Sequence, residues 1–230
     1  MEEKQMTNLE RELASLKKEI VGMMELVFNQ LERAEKAFTE RDMSLAREVH
    51  HFEKLVDGAD LHIDKECENL IALYNPVAGD LRFVLAASKI ISHLERVGDH
   101  ADKIARYIRK RQIQDPFDKA LLKAVRFADM FDLAQEMLEI ATQAFIEEDG
   151  GLAREVFGLD IQMNEIYSNA LTEMHKHASQ TKSGNVLYLF SVVNKLERVG
   201  DMAKNIAEET VFYLEAKVLK HRKVKHVKEL

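Results

Sequence analysis

The sequence is poor in the residues that interrupt helices. Its 230 residues include 2 prolines and 9 glycines, whereas average usage predicts roughly 11 prolines. An all-β fold needs turn residues about every 8–12 positions, and this chain does not supply them. Tryptophan is absent and 7% of the residues are aromatic. The composition therefore predicts an all-α fold built from long helices.

Further absences exclude several classes of protein. The single cysteine, Cys67, has no partner for an intramolecular disulfide and excludes a cysteine-rich zinc site. No apolar run approaches the ~18 residues of a transmembrane helix. The segment MEEKQMTNLE at the start of the sequence is polar and acidic, unlike a signal peptide. We therefore expect a cytoplasmic protein.

Positive charge is concentrated near the C-terminus. The net charge of −7 argues against a nucleic-acid-binding protein. We interpret the basic tail as a solvated end, with contact to anionic lipid as the alternative. The residues of this tail are Lys217, Lys220, Arg222, Lys223, Lys225 and Lys228.

Apolar residues recur every three or four positions, which is typical of amphipathic helices. Pro76 and Pro116 stand where a helix could begin. The pattern predicts six long helices, at about 13–38, 49–74, 84–108, 117–148, 151–179 and 184–217.

The two halves of the chain are similar in sequence. The segments AEKAFTERDMSLAREV (34–49) and ATQAFIEEDGGLAREV (141–156) share ten of sixteen residues at an offset of 107. The segments HLERVGDHADKIA (93–105) and KLERVGDMAKNIA (195–207) share nine of thirteen at an offset of 102. Such a long period is unlike that of a solenoid. It indicates a duplicated domain of three helices.

The duplication predicts where the domains lie. We expect residues 1–112 to form the first three-helix bundle and residues 113–230 to form the second, which carries the basic tail.

Acidic residues four positions apart recur at equivalent places in the two halves. One pair lies in the third helix of each half and another in the second, so each pair shares a helix face. In an antiparallel hairpin, equal rise per residue brings the two pairs to the same level. The first set is Glu53, Asp57, Glu95 and Asp99, with Asp102 nearby, and the second is Asp160, Asn164, Glu197 and Asp201, with Asn205 nearby.

Oxygen-bearing side chains that converge from two helices suit cations such as Mg²⁺, Mn²⁺, Ca²⁺ or iron. A cation would offset the repulsion between like charges, which costs about 0.2–0.5 kcal/mol for an exposed pair. The alternative is a solvated face neutralised by ion pairs, such as Asp99 with Lys103. The recurring glycine and alanine residues of this region indicate close helix packing with or without metal.

Motifs for catalysis are weak. Di-iron bundles use Glu-x-x-His from two helices, and the match at Glu48 and His51 is not repeated in the second half. We find no glycine-rich phosphate loop and no Ser/His/Asp or Cys/His constellation, so we expect no enzyme. A carboxylate-bundle metalloenzyme or metal-storage protein, and a purely structural adaptor, are the alternatives.

The sequence resembles the PhoU family of phosphate-uptake regulators over about residues 8–217. The resemblance lies in LERVGD at Leu94–Asp99 and Leu196–Asp201, in PVAGDLRFVLAASKI at Pro76–Ile90, and in the acidic pairs before each hairpin. It implies two similar three-helix bundles and a role in restraining phosphate-starvation signalling. It also implies docking at the cytoplasmic face, between a phosphate ABC transporter and a sensor histidine kinase, in peripheral contact with membrane complexes.

The resemblance further implies multinuclear metal clusters at the acid-x-x-x-Asp pairs. Carried over by position, the ligands are the two sets of residues named above. We expect iron, with zinc, manganese or magnesium as alternatives, and leave a homodimer open. Asn164 departs from the pattern, and Lys103 takes the place of Asn205, so we expect the two sites to differ.

Overall fold

The protein is described by a computed structural model that covers residues 6–113, 116–178 and 185–219. Within these ranges the chain is helical and contains no strand, which confirms the all-α class. The predicted turn of the second hairpin and the basic tail from Lys220 onward lie outside the described residues. Seven helices are described: α1 (Asn8–Glu40), α2 (Met43–Tyr74), α3 (Ala78–Arg109), α4 (Lys119–Ala124), α5 (Phe127–Glu147), α6 (Gly150–Ala178) and α7 (Asn185–Glu215).

The prediction of one helix over residues 117–148 is wrong, and the described count is seven rather than six. The chain breaks between α4 and α5 at Arg126, whose φ of 54° is left-handed. This conformation costs a non-glycine residue about 1–2 kcal/mol. The break allows Phe117 and Phe127 to pack on Phe38 of α1, with ring centroids 5.1 Å and 5.4 Å away.

The turn that precedes the second helix is the same in both halves. Arg41 and Glu148 end α1 and α5 in the left-handed conformation. The next residues, Asp42 and Asp149, each accept hydrogen bonds from the backbone N–H groups two and three residues ahead. An aspartate in this position caps a helix N-terminus. The duplication is therefore visible in the backbone as well as in the sequence.

The helices pack as two groups of three. α1, α2 and α3 contact one another, as do α5, α6 and α7. The groups meet mainly through α3 and α7. Because Gln114 and Asp115 lie outside the described residues, the domain limits 1–112 and 113–230 stay a prediction.

Contacts between α3 and α7 fix the two halves against each other. Lys89 forms an ion pair with Glu209 at 3.1 Å, and the Glu209 side chain is 3% exposed. The hydroxyl groups of Tyr107 and Ser191 are hydrogen-bonded at 2.6 Å. These partly buried polar contacts join α3 to α7 in addition to their apolar packing.

Across the described ranges, none of the helices combines the length and the apolar character needed to cross a membrane.

We expect Phe38→Ala to lower the free energy of unfolding by about 3–5 kcal/mol, because the Phe38 side chain is 1% exposed. Phe190→Ala is the control, since Phe190 is 45% exposed and should change stability by about 0.5 kcal/mol or less. Urea unfolding followed by circular dichroism measures both. Equal stability of the two variants would contradict the described packing around α4.

Candidate functional site

The first acidic face consists of Glu53 and Asp57 on α2 and Glu95 and Asp99 on α3. Burial raises the pKa of Glu53 to about 7, and the charges of Asp57 and Asp99 add to this effect. Burial likewise raises the pKa of Glu95, with further contributions from Asp99 and Asp57. Glu53 and Glu95 are therefore both within electrostatic reach of Asp57 and Asp99.

Gln30 of α1 is fully buried beneath this face. Its Nε2 atom donates to Glu53 Oε2 at 2.6 Å, to the carbonyl oxygen of Gly98 at 3.1 Å and to that of Val49 at 3.4 Å. All three partners are acceptors, which fixes the orientation of the amide. The other amide atom, Oε1, is buried without a hydrogen-bond partner.

Gly98 leaves room for this arrangement. A Cβ atom at residue 98 would lie 2.8 Å from Gln30 Oε1 and 3.1 Å from Glu53 Oε2. The missing side chain therefore creates a small polar cradle, lined by the unpaired amide oxygen and the carboxylate. Glycine in a helix interior costs about 1 kcal/mol, and the contact with Gln30 explains why it is present here.

Asp99 of the first acidic face and the neighbouring Asp102 are already paired with cations. Arg109 donates to both oxygens of Asp102 at 2.8 Å and 3.3 Å, and His50 Nδ1 is 3.2 Å from the same carboxylate. Burial raises the pKa of Asp102, but Arg109 and His50 outweigh burial and hold it below its usual value. Lys103 forms an ion pair with Asp99.

The second acidic face consists of Asp160 on α6 and of Glu197 and Asp201 on α7. Lys204 lies among them, with Nζ 2.9 Å from Asp160 Oδ2 and 3.7 Å from Asp201 Oδ1. Burial lowers the pKa of Lys204, but its hydrogen bond to Asp160 and the nearby negative charges outweigh burial and raise it. Arg198 contacts Asp201 at 3.3 Å and Glu197 at 3.5 Å.

Of the two predicted asparagine ligands, Asn164 is engaged by its own helix, and the role of Asn205 stays a prediction. Asn164 is exposed, and its Nδ2 donates to the backbone carbonyl of Asp160 at 2.9 Å. Asn205 is partly buried.

Sequence analysis missed two residues that shape the faces, Gln30 and Lys204. At the offset of 107, Gln30 corresponds to Met137, and at the offset of 102, Lys204 corresponds to Asp102. Two features of the sequence could have indicated them. Gln30 is a polar residue within an apolar stripe, and Lys204 has the opposite charge to its counterpart Asp102. The three atoms nearest to a Cβ at Gly200 belong to Met163 and Met137, at 3.3–3.5 Å, so the cradle of the first face has an apolar counterpart.

The first face has the donor chemistry for a hard cation. Its carboxylates and the buried amide oxygen beside Gly98 are hard oxygen donors, although Gln30 Nε2 and Lys103 Nζ already contact Glu53 and Asp99. In residues 6–113, 116–178 and 185–219, no three His, Cys, Asp or Glu side chains are arranged to hold a metal ion. The first face therefore offers suitable donor atoms but, among the described residues, no assembled coordination site, and metal binding stays a prediction.

The fold and the repeated faces define an all-helical protein that is duplicated within one chain. The PhoU domain matches residues 20–108 and 127–210, one copy in each half. The chain belongs to the PhoU family.

Curated relatives and solved structures agree with this assignment. The phosphate-specific transport system accessory protein PhoU homolog of Aquifex aeolicus is 30% identical over 221 residues, which cover 95% of this chain and 97% of that protein. The PhoU protein of Escherichia coli K12 is 30% identical over 212 residues, covering 91% and 86%. The crystal structure of PhoU from Pseudomonas aeruginosa has a TM-score of 0.83 at 29% identity, covering 90% and 99%.

We expect the free energy of unfolding, measured with a chelator present, to fall between pH 4.5 and pH 7 because of Glu53. The folded protein binds the Glu53 proton more tightly than the unfolded chain does. The resulting stability is complete below the unfolded pKa and is lost as pH rises through the folded pKa. Glu53→Gln should flatten this part of the pH profile, whereas Asp64→Asn, at an exposed acid of α2, should not. An unchanged slope in Glu53→Gln would contradict the assignment.

The two equivalent glycines should respond differently to alanine. We expect Gly98→Ala to be less stable than Gly200→Ala by about 1–3 kcal/mol, because the new methyl group displaces the hydrogen-bonded Gln30 amide in one case and flexible methionines in the other. Thermal unfolding of the two variants measures the difference. Equal stability would show that the cradle at Gly98 tolerates a side chain.

Proposed function

We propose that the chain is a regulator of phosphate uptake that restrains phosphate-starvation signalling from the cytoplasm. It acts by docking to a phosphate ABC transporter and to a sensor histidine kinase. The match of a PhoU domain to both halves carries this proposal. The names of the relatives from Aquifex aeolicus and Escherichia coli, which are accessory proteins of phosphate-specific transport, support it.

The proposed role is regulatory rather than catalytic. The relatives are named accessory proteins, and the Glu-x-x-His match does not point to a redox centre. Glu48 of this match is exposed and contacts Arg33 at 3.3 Å, while His51 is exposed as well. Neither belongs to the first acidic face.

Docking is tested in the host cell and with purified proteins. In a strain that lacks the gene, genes of the phosphate-starvation response should be expressed even in high phosphate, and the wild-type gene should restore repression. The tagged chain should also retain the transporter ATPase or the sensor kinase from the same organism on an affinity column. Normal repression in the deletion strain would contradict the proposal.

The first acidic face is the proposed metal site. Glu53, Asp57, Glu95 and Asp99 would hold the ion, with iron as the first expectation. The ion would supply positive charge that offsets the repulsion between carboxylates on α2 and α3. Support comes from the unpaired Gln30 Oε1 atom, because a buried polar atom without a partner is costly.

Glu95→Ala/Asp99→Ala should remove metal from the first half, because it removes both α3 carboxylates. Elemental mass spectrometry should find less bound metal than in the wild type, and the melting temperature should no longer fall on chelation. Asp64→Ala/Glu68→Ala, an exposed pair with the same spacing on α2, is the control and should keep both properties. Full metal content in Glu95→Ala/Asp99→Ala would overturn the site.

A further inference from the structure

We propose that the ammonium group of Lys204 is the resident cation of the second acidic face, which is therefore closed to metal ions. This inference opposes the sequence-based prediction of a second metal site. The contrast with a metal site in the first acidic face rests on the proposed function. The evidence on Lys204 itself comes from contacts of α6 and α7 and does not depend on that function.

Lys204 joins acids from two different helices. Its Nζ atom is 2.9 Å from the Asp160 carboxylate of α6 and 3.7 Å from the Asp201 carboxylate of α7. The Asp160 side chain is 11% exposed and that of Lys204 is 27% exposed, so solvent screens the pair only in part. A metal ion that bridged α6 and α7 would need the same oxygens and would meet the charge of Lys204 at close range.

Other groups of the second face also point away from metal binding. Arg198 contacts Glu197 at 3.5 Å and Asp201 at 3.3 Å, so two cations already serve three acids. Asn164 supplies a neutral amide where the first face has Asp57, and the amide is hydrogen-bonded to its own helix. The donor set of the second face therefore has one carboxylate fewer and one more cation than that of the first face.

The two repeats carry different residues at equivalent positions around their acids. The counterpart of Lys204 is Asp102, and the counterpart of the buried Gln30 is Met137. Within the described residues of the first face, Lys103 pairs with Asp99, and no ion pair reaches Glu53, Asp57 or Glu95. The same backbone thus carries a lysine that bridges acids of two helices in one half, and in the other half three acids, Glu53, Asp57 and Glu95, that no ion pair reaches among the described residues.

The inference has a regulatory consequence. Metal availability would change the charge of the first half alone, while the second half would keep α6 and α7 together at any metal concentration.

Melting temperatures in a chelator test the lysine directly. Lys204→Gln should lower the melting temperature by about 4–8 °C, because it leaves the partly buried Asp160 without its cation. Lys204→Arg should restore most of the loss, since it restores the charge. Lys36→Gln, which removes an exposed lysine paired with Glu32 within α1, is the control and should melt like the wild type. A Lys204→Gln variant that melts like the wild type would overturn the inference.

Metal content gives the second test. The Glu95→Ala/Asp99→Ala variant, dialysed against Mn²⁺ and then against buffer, should retain no manganese because its remaining face contains Lys204. Manganese that this variant retains, and that further substitution of Glu197→Ala/Asp201→Ala removes, would overturn the inference. Wild-type protein without manganese would instead contradict the proposed metal site of the first face, and the melting temperatures would still decide the role of Lys204.

Discussion

The hydrogen bonds of one buried amide determine the structure of the first acidic face. Gln30 lies on α1 and donates to Glu53 on α2 and to the backbone of α3 at Gly98, so three helices meet at one side chain. Buried polar groups are tolerated when they are hydrogen-bonded, and the close approach requires a residue without Cβ at position 98. Glu53 is thereby held half-buried, and burial, assisted by the neighbouring acids, raises its pKa to about 7 although the hydrogen bond from Gln30 acts in the opposite direction.

The second half keeps the backbone of this arrangement and changes its chemistry. Met137 and Met163 fill the space that Gln30 and Val56 line in the first half, so the polar link between three helices is absent. Lys204 instead connects α6 and α7 through Asp160. After duplication, the requirement to separate or neutralise like charges persisted in each half, and different residues came to meet it.

Periodicity and repetition were enough to predict the class of fold. The apolar stripes located α1, α2 and α3, and the repeated segments located both acidic faces. The break at Arg126 could not be predicted, because neither glycine nor proline marks it and it follows from the packing of Phe117 and Phe127 on α1. The contact of Lys204 with Asp160 depends on side-chain reach between helices, although the alignment of the repeats shows the replacement of Asp102.

The position of α3 connects the acidic face to the rest of the molecule. Glu95 and Asp99 lie on this helix, and so do Lys89 and Tyr107, which contact Glu209 and Ser191 of α7. Repulsion on the first face acts on a helix whose apolar side chains are buried in the core, and close packing resists gradual deformation. A change of charge on the face must therefore be met by side-chain rearrangement within α2 and α3, or by movement of α3 against α7. A movement of α3 against α7 would transmit the change of charge from the first half to the second.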